Sequence, residues 1–258
     1  MESERGGKKV REEVLNLGFA EWDSRENVLE NRKRFFSAHG AEKMRVIALR
    51  QIHSDIVHRV DHHSAAEPLQ GDAHFTRERG VVLTVQSADC VPILLADPKR
   101  RAVAAIHAGW RGTLRRIGAK TLGRMQMEFG TDPADVIAAL GPGISRCCYE
   151  VGPEVAREFQ AQFPEAQEWF EALPNFFASA EDPNWLPWLT MRPPGHPAPE
   201  PRARLDLLAA NRAVLAAAGI SPDNILTSKF CTSCRTDLFF SYRRERPTGR
   251  LMAAIAIC

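Results

Sequence analysis

The sequence predicts an α+β chain built on mixed β-sheets, and three observations predict it. Apolar runs of strand length recur along the chain. Several of them are separated from the next by only a short turn, which favours a mixed or α+β sheet architecture over a pure βαβ array. Helical stretches with apolar positions at i, i+3 and i+4 interleave with the strands, and no segment repeats at a fixed period.

Taken in order, residues 1–13 are polar and charged, and Val14–Phe19 has the pattern of a short strand. Ser24 caps a helix carrying Val28, Leu29, Arg32 and Phe36 at helical spacing, and Gly40 stops it. Met44–Leu49 reads as a strand, followed by Gln51-Ile52-His53-Ser54 and an alternating run over Asp55–Val60. Asp61–Gln70 is a polar loop with His62 and His63, and Gly71-Asp72-Ala73-His74 leads out of it.

Three apolar strands then dominate the middle of the chain. Val81–Val85 ends at the polar break Ser87-Ala88-Asp89-Cys90. Val91–Ala96 is stopped by Asp97-Pro98, and Lys99-Arg100-Arg101 is a solvated turn. Ala102–Ile106 ends at His107, after which Ala108-Gly109-Trp110-Arg111-Gly112 turns the chain. Thr113 then caps an amphipathic helix over Leu114–Phe129, closed by Gly130. Val136–Leu140 is a further strand, a glycine turn follows at Gly141-Pro142-Gly143-Ile144, and a helix starts after Pro153. Residues 163–203 are proline-rich, hold three of the five tryptophans and lack apolar periodicity, so they read as an irregular insertion within a single domain spanning 1–258. Leu205–Ala218 is a helix ended by Gly219, and Asn224–Thr227, Leu238–Tyr242 and Leu251–Ile257 are the closing strands.

Composition narrows the function. The chain has 258 residues, 44% of them hydrophobic, and a formal net charge of +2. That balance gives no electrostatic case for a nucleic-acid or membrane-surface partner. No apolar run approaches the roughly 20 residues of a membrane span, and the charged start has no signal-peptide core, so a cytoplasmic protein is expected. Six cysteines in a chain of this length are too sparse for a disulfide scaffold.

His53, Cys90 and His107 each follow a strand and precede a turn. Two imidazoles and a thiolate suit zinc and leave a fourth position open. Cys90 with His107 equally suits a nucleophile and base, oriented by Asp72 or Asp89. A buried structural cysteine and a hydrogen-bonded histidine is the blander alternative, as is a turn role for each aspartate. Cys231 and Cys234 form a lone CxxC, a poor zinc or redox signal, and Cys147-Cys148 reads as packing. Gly109, Gly112, Gly141 and Gly143 could turn backbone N–H groups toward an anion. Arg111, Arg243 and Arg244 could hold phosphate, with solvated arginine the alternative.

At these residues the sequence resembles the bacterial YfiH/YlmD-type family, long labelled multicopper polyphenol oxidoreductase or laccase-domain. The resemblance rests on Gln51-Ile52-His53, Gly71-Asp72-Ala73, Ser87-Ala88-Asp89-Cys90-Val91-Pro92 and His107-Ala108-Gly109-Trp110-Arg111-Gly112. Leu140–Ile144, Cys148–Pro153, Phe239–Arg244 and Thr248-Gly249-Arg250 extend it, and it covers nearly the whole chain. It implies a layered α/β/β/α sandwich with mixed sheets. It implies a catalytic zinc on His53, Cys90 and His107, with copper as an alternative metal. The activity it implies is phosphorolysis of purine nucleosides (adenosine, inosine, guanosine, methylthioadenosine) together with deamination of adenosine. Asp72 and Asp89 would then move protons, while Arg111, Arg243, Gly141 and Gly143 would hold phosphate. Ser3-Glu4-Arg5-Gly6-Gly7 stands where the family has a TRxGG-like segment, which adds Arg5 to the substrate-binding set, but the apolar strand ahead of it is missing. Three other readings compete: a copper-dependent polyphenol oxidase, a metal-free cysteine hydrolase using Cys90 and His107, and a non-catalytic partner of cell-wall or division proteins. The copper reading is weakened by the lack of any His-x-His pair. Monomer and homodimer both stay open.

Overall fold

The computed structural model describes residues 2–5, 8–11, 14–64, 67–172 and 202–258. They gather into two compact units, one of Met1–Ser145 with Leu207–Cys258, the other of Arg146–Asp206. The elements run β1 (Glu2–Arg5), β2 (Lys8–Arg11), α1 (Arg25–Ala38), β3 (Arg45–Ala48), β4 (Val57–Arg59) and β5 (Ala73–Thr76). Next come β6 (Val81–Ser87), β7 (Val91–Asp97), β8 (Ala102–Ala108), α2 (Trp110–Leu114), α3 (Ile117–Phe129) and β9 (Ile137–Leu140). After these follow β10 (Glu150–Val151), α4 (Pro153–Gln162), β11 (Phe170–Ala172), β12 (Ala203–Leu205), α5 (Leu207–Ala217), β13 (Ile225–Thr227) and β14 (Leu251–Ala256).

The first unit holds two mixed sheets. One has the order β13-β9-β7-β8-β5-β4, with β7 antiparallel to both β8 and β9, and β4 parallel to β5. The other has the order β14-β6-β3, with β6 antiparallel to β14 and parallel to β3. The sheets face each other. Val81, Leu83 and Val85 of β6 and Ile47 of β3 share one core cluster with Val103 and Ala105 of β8. On the outer face of the smaller sheet, Phe36 of α1 packs with Val82 of β6 and Met252 of β14. On the outer face of the larger sheet, α3 lies against β5 and β8, and α5 against β13. This is an α/β/β/α arrangement. It explains why β6 reads as an unbroken apolar run: both of its faces are covered.

Several sequence expectations are corrected. Val14–Phe19 is not a strand, because the buried Asn16 side chain takes over its backbone bonding. Asn16 Oδ1 accepts from the N–H groups of Gly18 (3.1 Å) and Arg250 (2.9 Å), while Nδ2 donates to Asp23. The helix expected over Leu114–Phe129 is two helices, broken at Arg116, which adopts the left-handed conformation at φ 57°. Leu238–Tyr242 is a run of turns, in which the N–H groups of Leu238 and Phe239 both donate to the Arg235 carbonyl.

The second unit corrects the irregular reading of 163–203 at its described ends. Residues 170–172 and 203–205 are strands of an antiparallel sheet of order β10-β12-β11. Phe159 of α4 meets Phe163 and Trp169 there, the Trp169 ring edge-on at 89°. An aromatic cluster of this kind is a core without helical or strand periodicity, which is why the pattern was silent. Residues 173–201 of the expected insertion lie outside the described residues. No helix among the described residues is long and apolar enough to cross a membrane.

Candidate metal centre

His107 is the last polar position of a strand whose alternate residues build the core. Val103, Ala105 and His107 share one face of β8, and the first two pack between the sheets. His107 therefore sits between the sheets at the end of the sandwich, directly opposite Pro92 of β7, and is 4% exposed. Cys90 lies in the tight turn from β6 to β7. That turn needs a left-handed residue, and Asp89 supplies it at φ 90°. His53 comes from the loop after β3, also left-handed at φ 57°. Its register is fixed by Gln51, whose amide both accepts from and donates to the Gln86 backbone of β6 at 2.8 and 2.7 Å.

The three side chains converge. One ligand atom from each of His53, Cys90 and His107 lies within 4.8 Å of the other two. Cys90 Sγ is 3.9 Å from His53 Nε2, and the two imidazoles meet edge-on with centroids 4.9 Å apart. Tetrahedral zinc bond lengths require ligand atoms about 3.3–3.6 Å apart, so modest closure of the three would seat the ion. The donor set of two nitrogens and one sulfur fits zinc, and three protein ligands leave a coordination position open.

Asp72, at the entry to β5, underlies the cluster and is fully buried. His107 Nδ1–H donates to its Oδ1 at 2.9 Å, which directs Nε2 away from Asp72 as a ligand atom. The backbone N–H groups of Ile52, His53 and Ser54 also point at this carboxylate, at 3.2, 3.0 and 2.6 Å, and the Ser54 hydroxyl donates at 2.7 Å. Burial alone would raise the Asp72 carboxyl, but the bonds from His107 and Ser54 prevail and hold it far below the usual carboxylate range. Burial likewise pushes the Cys90 thiol up, yet hydrogen bonding to His107 and His53 brings it down to about 6. His107 moves the other way: burial lowers it, and the contacts to Asp72 and Cys90 more than offset that. The Cys90 sulfur is thus biased toward the thiolate.

The other sequence-derived residues take different places. Asp89 is buried, with Oδ1 accepting from the Thr232 hydroxyl at 2.6 Å and Oδ2 from the Arg243 N–H at 2.7 Å. Through these two bonds Asp89 ties the Cys90 turn to the segment that carries Thr232 and Arg243. The expected anion-facing N–H of Gly141 instead donates to the Pro92 carbonyl at 2.9 Å. Gly143 is required for close approach, since a Cβ there would lie 3.0 Å from Val91 Cγ2 and 3.1 Å from the Asp89 carbonyl oxygen. Arg111 is exposed and stacks over Trp110 at 4.4 Å, and Arg243 is exposed beside the Asp89 tether. Arg5 lies in β1, opposite Lys8, and its side chain is outside the described residues. Within the CxxC segment, Cys231 is buried and its sulfur accepts from the Ser145 N–H at 3.4 Å. The sequence did not mark Ser54 or Thr232, which bond the two aspartates. Each adjoins a residue that it did mark (His53 and Cys231), and adjacency is the only signal available.

Gly109 carries a prediction. Its φ of −79° is ordinary, but a Cβ there would lie 3.0 Å from Cys90 Sγ and 3.2 Å from His53 Cδ2. Gly109→Ala is expected to push these ligands apart and to weaken zinc on the order of tenfold. Competition with a chromophoric chelator reads this, and the unfolding midpoint of the metal-free protein should hardly move. Unchanged zinc affinity would show that the ligands are not held against Gly109.

Comparison with known proteins finds relatives over most of the chain. The family model described as multi-copper polyphenol oxidoreductase laccase matches residues 3–258. The chain is 33% identical to a protein named purine nucleoside phosphorylase YlmD from Geobacillus stearothermophilus, over 93% of this chain and 82% of that one. It is 39% identical to a protein named adenosine deaminase RL5 from an unknown prokaryotic organism, over 72% of this chain and 61% of that protein. The crystal structure of the Bacillus licheniformis hypothetical protein YfiH superposes with a TM-score of 0.79 at 30% identity, covering 95% of this chain and 86% of that one.

Proposed function

The chain belongs to the family described as multi-copper polyphenol oxidoreductase laccase, and from that premise we propose that it is a zinc-dependent purine nucleoside phosphorylase that also deaminates adenosine. The observation that carries this reading is the convergence of His53, Cys90 and His107 within 4.8 Å. The names of the relatives, purine nucleoside phosphorylase and adenosine deaminase, supply the substrate class.

In this reading His53 Nε2, Cys90 Sγ and His107 Nε2 hold zinc, and the bound ion supplies Lewis-acid chemistry at the open position. The protein supplies the geometry. Cys90 is already biased toward the thiolate that ligation requires. Asp72 keeps the His107 proton on Nδ1, so that Nε2 presents its lone pair. Phosphorolysis needs phosphate placed at the ribose C1′. The exposed guanidinium groups of Arg111 and Arg243 are the cations we assign to that task, because a guanidinium binds phosphate bidentately. Adenosine, inosine, guanosine and methylthioadenosine are the substrates in view.

Product identification tests the reading. Zinc-loaded protein is incubated with adenosine, with and without phosphate, and the products are resolved by liquid chromatography and mass spectrometry. Phosphate-dependent adenine and ribose 1-phosphate are expected, with phosphate-independent inosine. Absence of both from folded, metal-replete protein would overturn the proposal. Stoichiometric copper with dioxygen consumption on phenols would replace it with oxidase chemistry.

A further inference from the structure

We propose that Asp72 is a positioning residue that builds the metal centre, holding the ring of one histidine ligand and the backbone of the other at the same time. The inference rests on the reading of His53, Cys90 and His107 as zinc ligands and deepens it. One oxygen, Oδ1, accepts from His107 Nδ1–H at 2.9 Å and from the His53 N–H at 3.0 Å. The other, Oδ2, accepts from the Ile52 and Ser54 N–H groups and from the Ser54 hydroxyl. Three consecutive N–H groups aimed at one anion form a backbone nest, a concavity that closes only around negative charge. The nest forms because His53 is left-handed at φ 57°, a conformation uncommon for a non-glycine residue and stabilised here by the bonds to Asp72.

The consequence is chemical. All five donors point at Asp72, so it has no role for a proton of its own in this arrangement. An asparagine cannot satisfy the same set. If its amide nitrogen faces the nest, N–H meets N–H and the His53 loop is expelled. If the nitrogen takes the place of Oδ1, it opposes the His53 N–H, and His107 Nδ1 must become the acceptor. The ring proton then moves to Nε2 and removes the lone pair a metal needs. Either orientation costs at least one ligand.

The test compares wild type, Asp72→Asn and Ser54→Ala, each stripped of metal and titrated with zinc against a chelator, then with cobalt(II) in its place. Asp72→Asn is expected to bind zinc roughly 10–100-fold more weakly and to show an altered cobalt absorption spectrum. A purely structural aspartate would lower the unfolding midpoint without changing the spectrum of the cobalt that binds. Ser54→Ala, which removes one donor and leaves the carboxylate, should fold and bind zinc a few-fold more weakly, and it keeps the test decisive if Asp72→Asn does not fold. Wild type that binds zinc stoichiometrically while both variants match its affinity and spectrum would overturn the inference and leave the metal centre standing. Wild type that binds neither metal would overturn both.

Discussion

Replacing Cys90 by alanine is expected to abolish phosphorolysis and deamination together. Cys90 is the one anionic donor among the three converging residues proposed to hold zinc, and its loss would leave two neutral imidazoles for a divalent cation. Losing a residue that only orients a ligand weakens metal binding or activity by roughly 10–100-fold, and losing the ligand itself should exceed that. The fold should tolerate the change. Cys90 is only partly buried, in a turn whose conformation is set by Asp89 and its bonds to Thr232 and Arg243. The measurement is product formation by both reactions beside the zinc content of folded protein. Full activity in the variant would remove Cys90 from the centre. Loss of activity with zinc fully retained would return the thiol to the role of a nucleophile.

The second large effect concerns the scaffold rather than the site. Leu83 is fully buried at the middle of β6, between Ile47 of β3 and Ile255 of β14, in the cluster shared by both sheets. Leu83→Ala removes about three buried carbons and leaves a cavity in a close-packed layer. The expected loss is about 3 kcal/mol, within the range of roughly 2–5 kcal/mol for such truncations. For a chain of this length that lowers the thermal midpoint by about 6–12 °C. Zinc affinity measured well below the midpoint should not change, because the proposed ligands sit at the end of the sandwich. A midpoint shift of less than about 2 °C would mean that the two sheets do not share a tightly packed interior.

The two effects divide what could be read from the sequence. The three central strands were legible because β6 and β8 are covered on both faces and read as unbroken apolar runs. His53, Cys90 and His107 were legible as candidates because each follows such a run. Their convergence was not, since Cys90 and His53 are 37 positions apart and only the antiparallel β7–β8 pairing and the parallel β3–β6 pairing bring them to one end. The supporting shell was the least legible. Asp72 and Asp89 look alike on paper, short carboxylates beside turns. The first gathers five donors around the histidines, while the second ties the Cys90 turn to Thr232 and Arg243. Gly141 misled for the same reason, because whether its N–H faces a ligand or Pro92 depends on a strand that lies 49 residues earlier in the chain. The second unit escaped because its core is aromatic rather than periodic.

The bond from Asn16 to the Arg250 backbone joins residues 234 positions apart, and β14 completes the sheet that β3 and β6 begin. The last contacts of this unit therefore close one of the longest loops the chain offers. Loop closure of that span is entropically opposed until many contacts form at once, so folding is expected to be slow. Until then the apolar edge of β6 awaits its neighbour, an exposure that makes the unfinished chain, rather than the finished protein, the species most prone to aggregate.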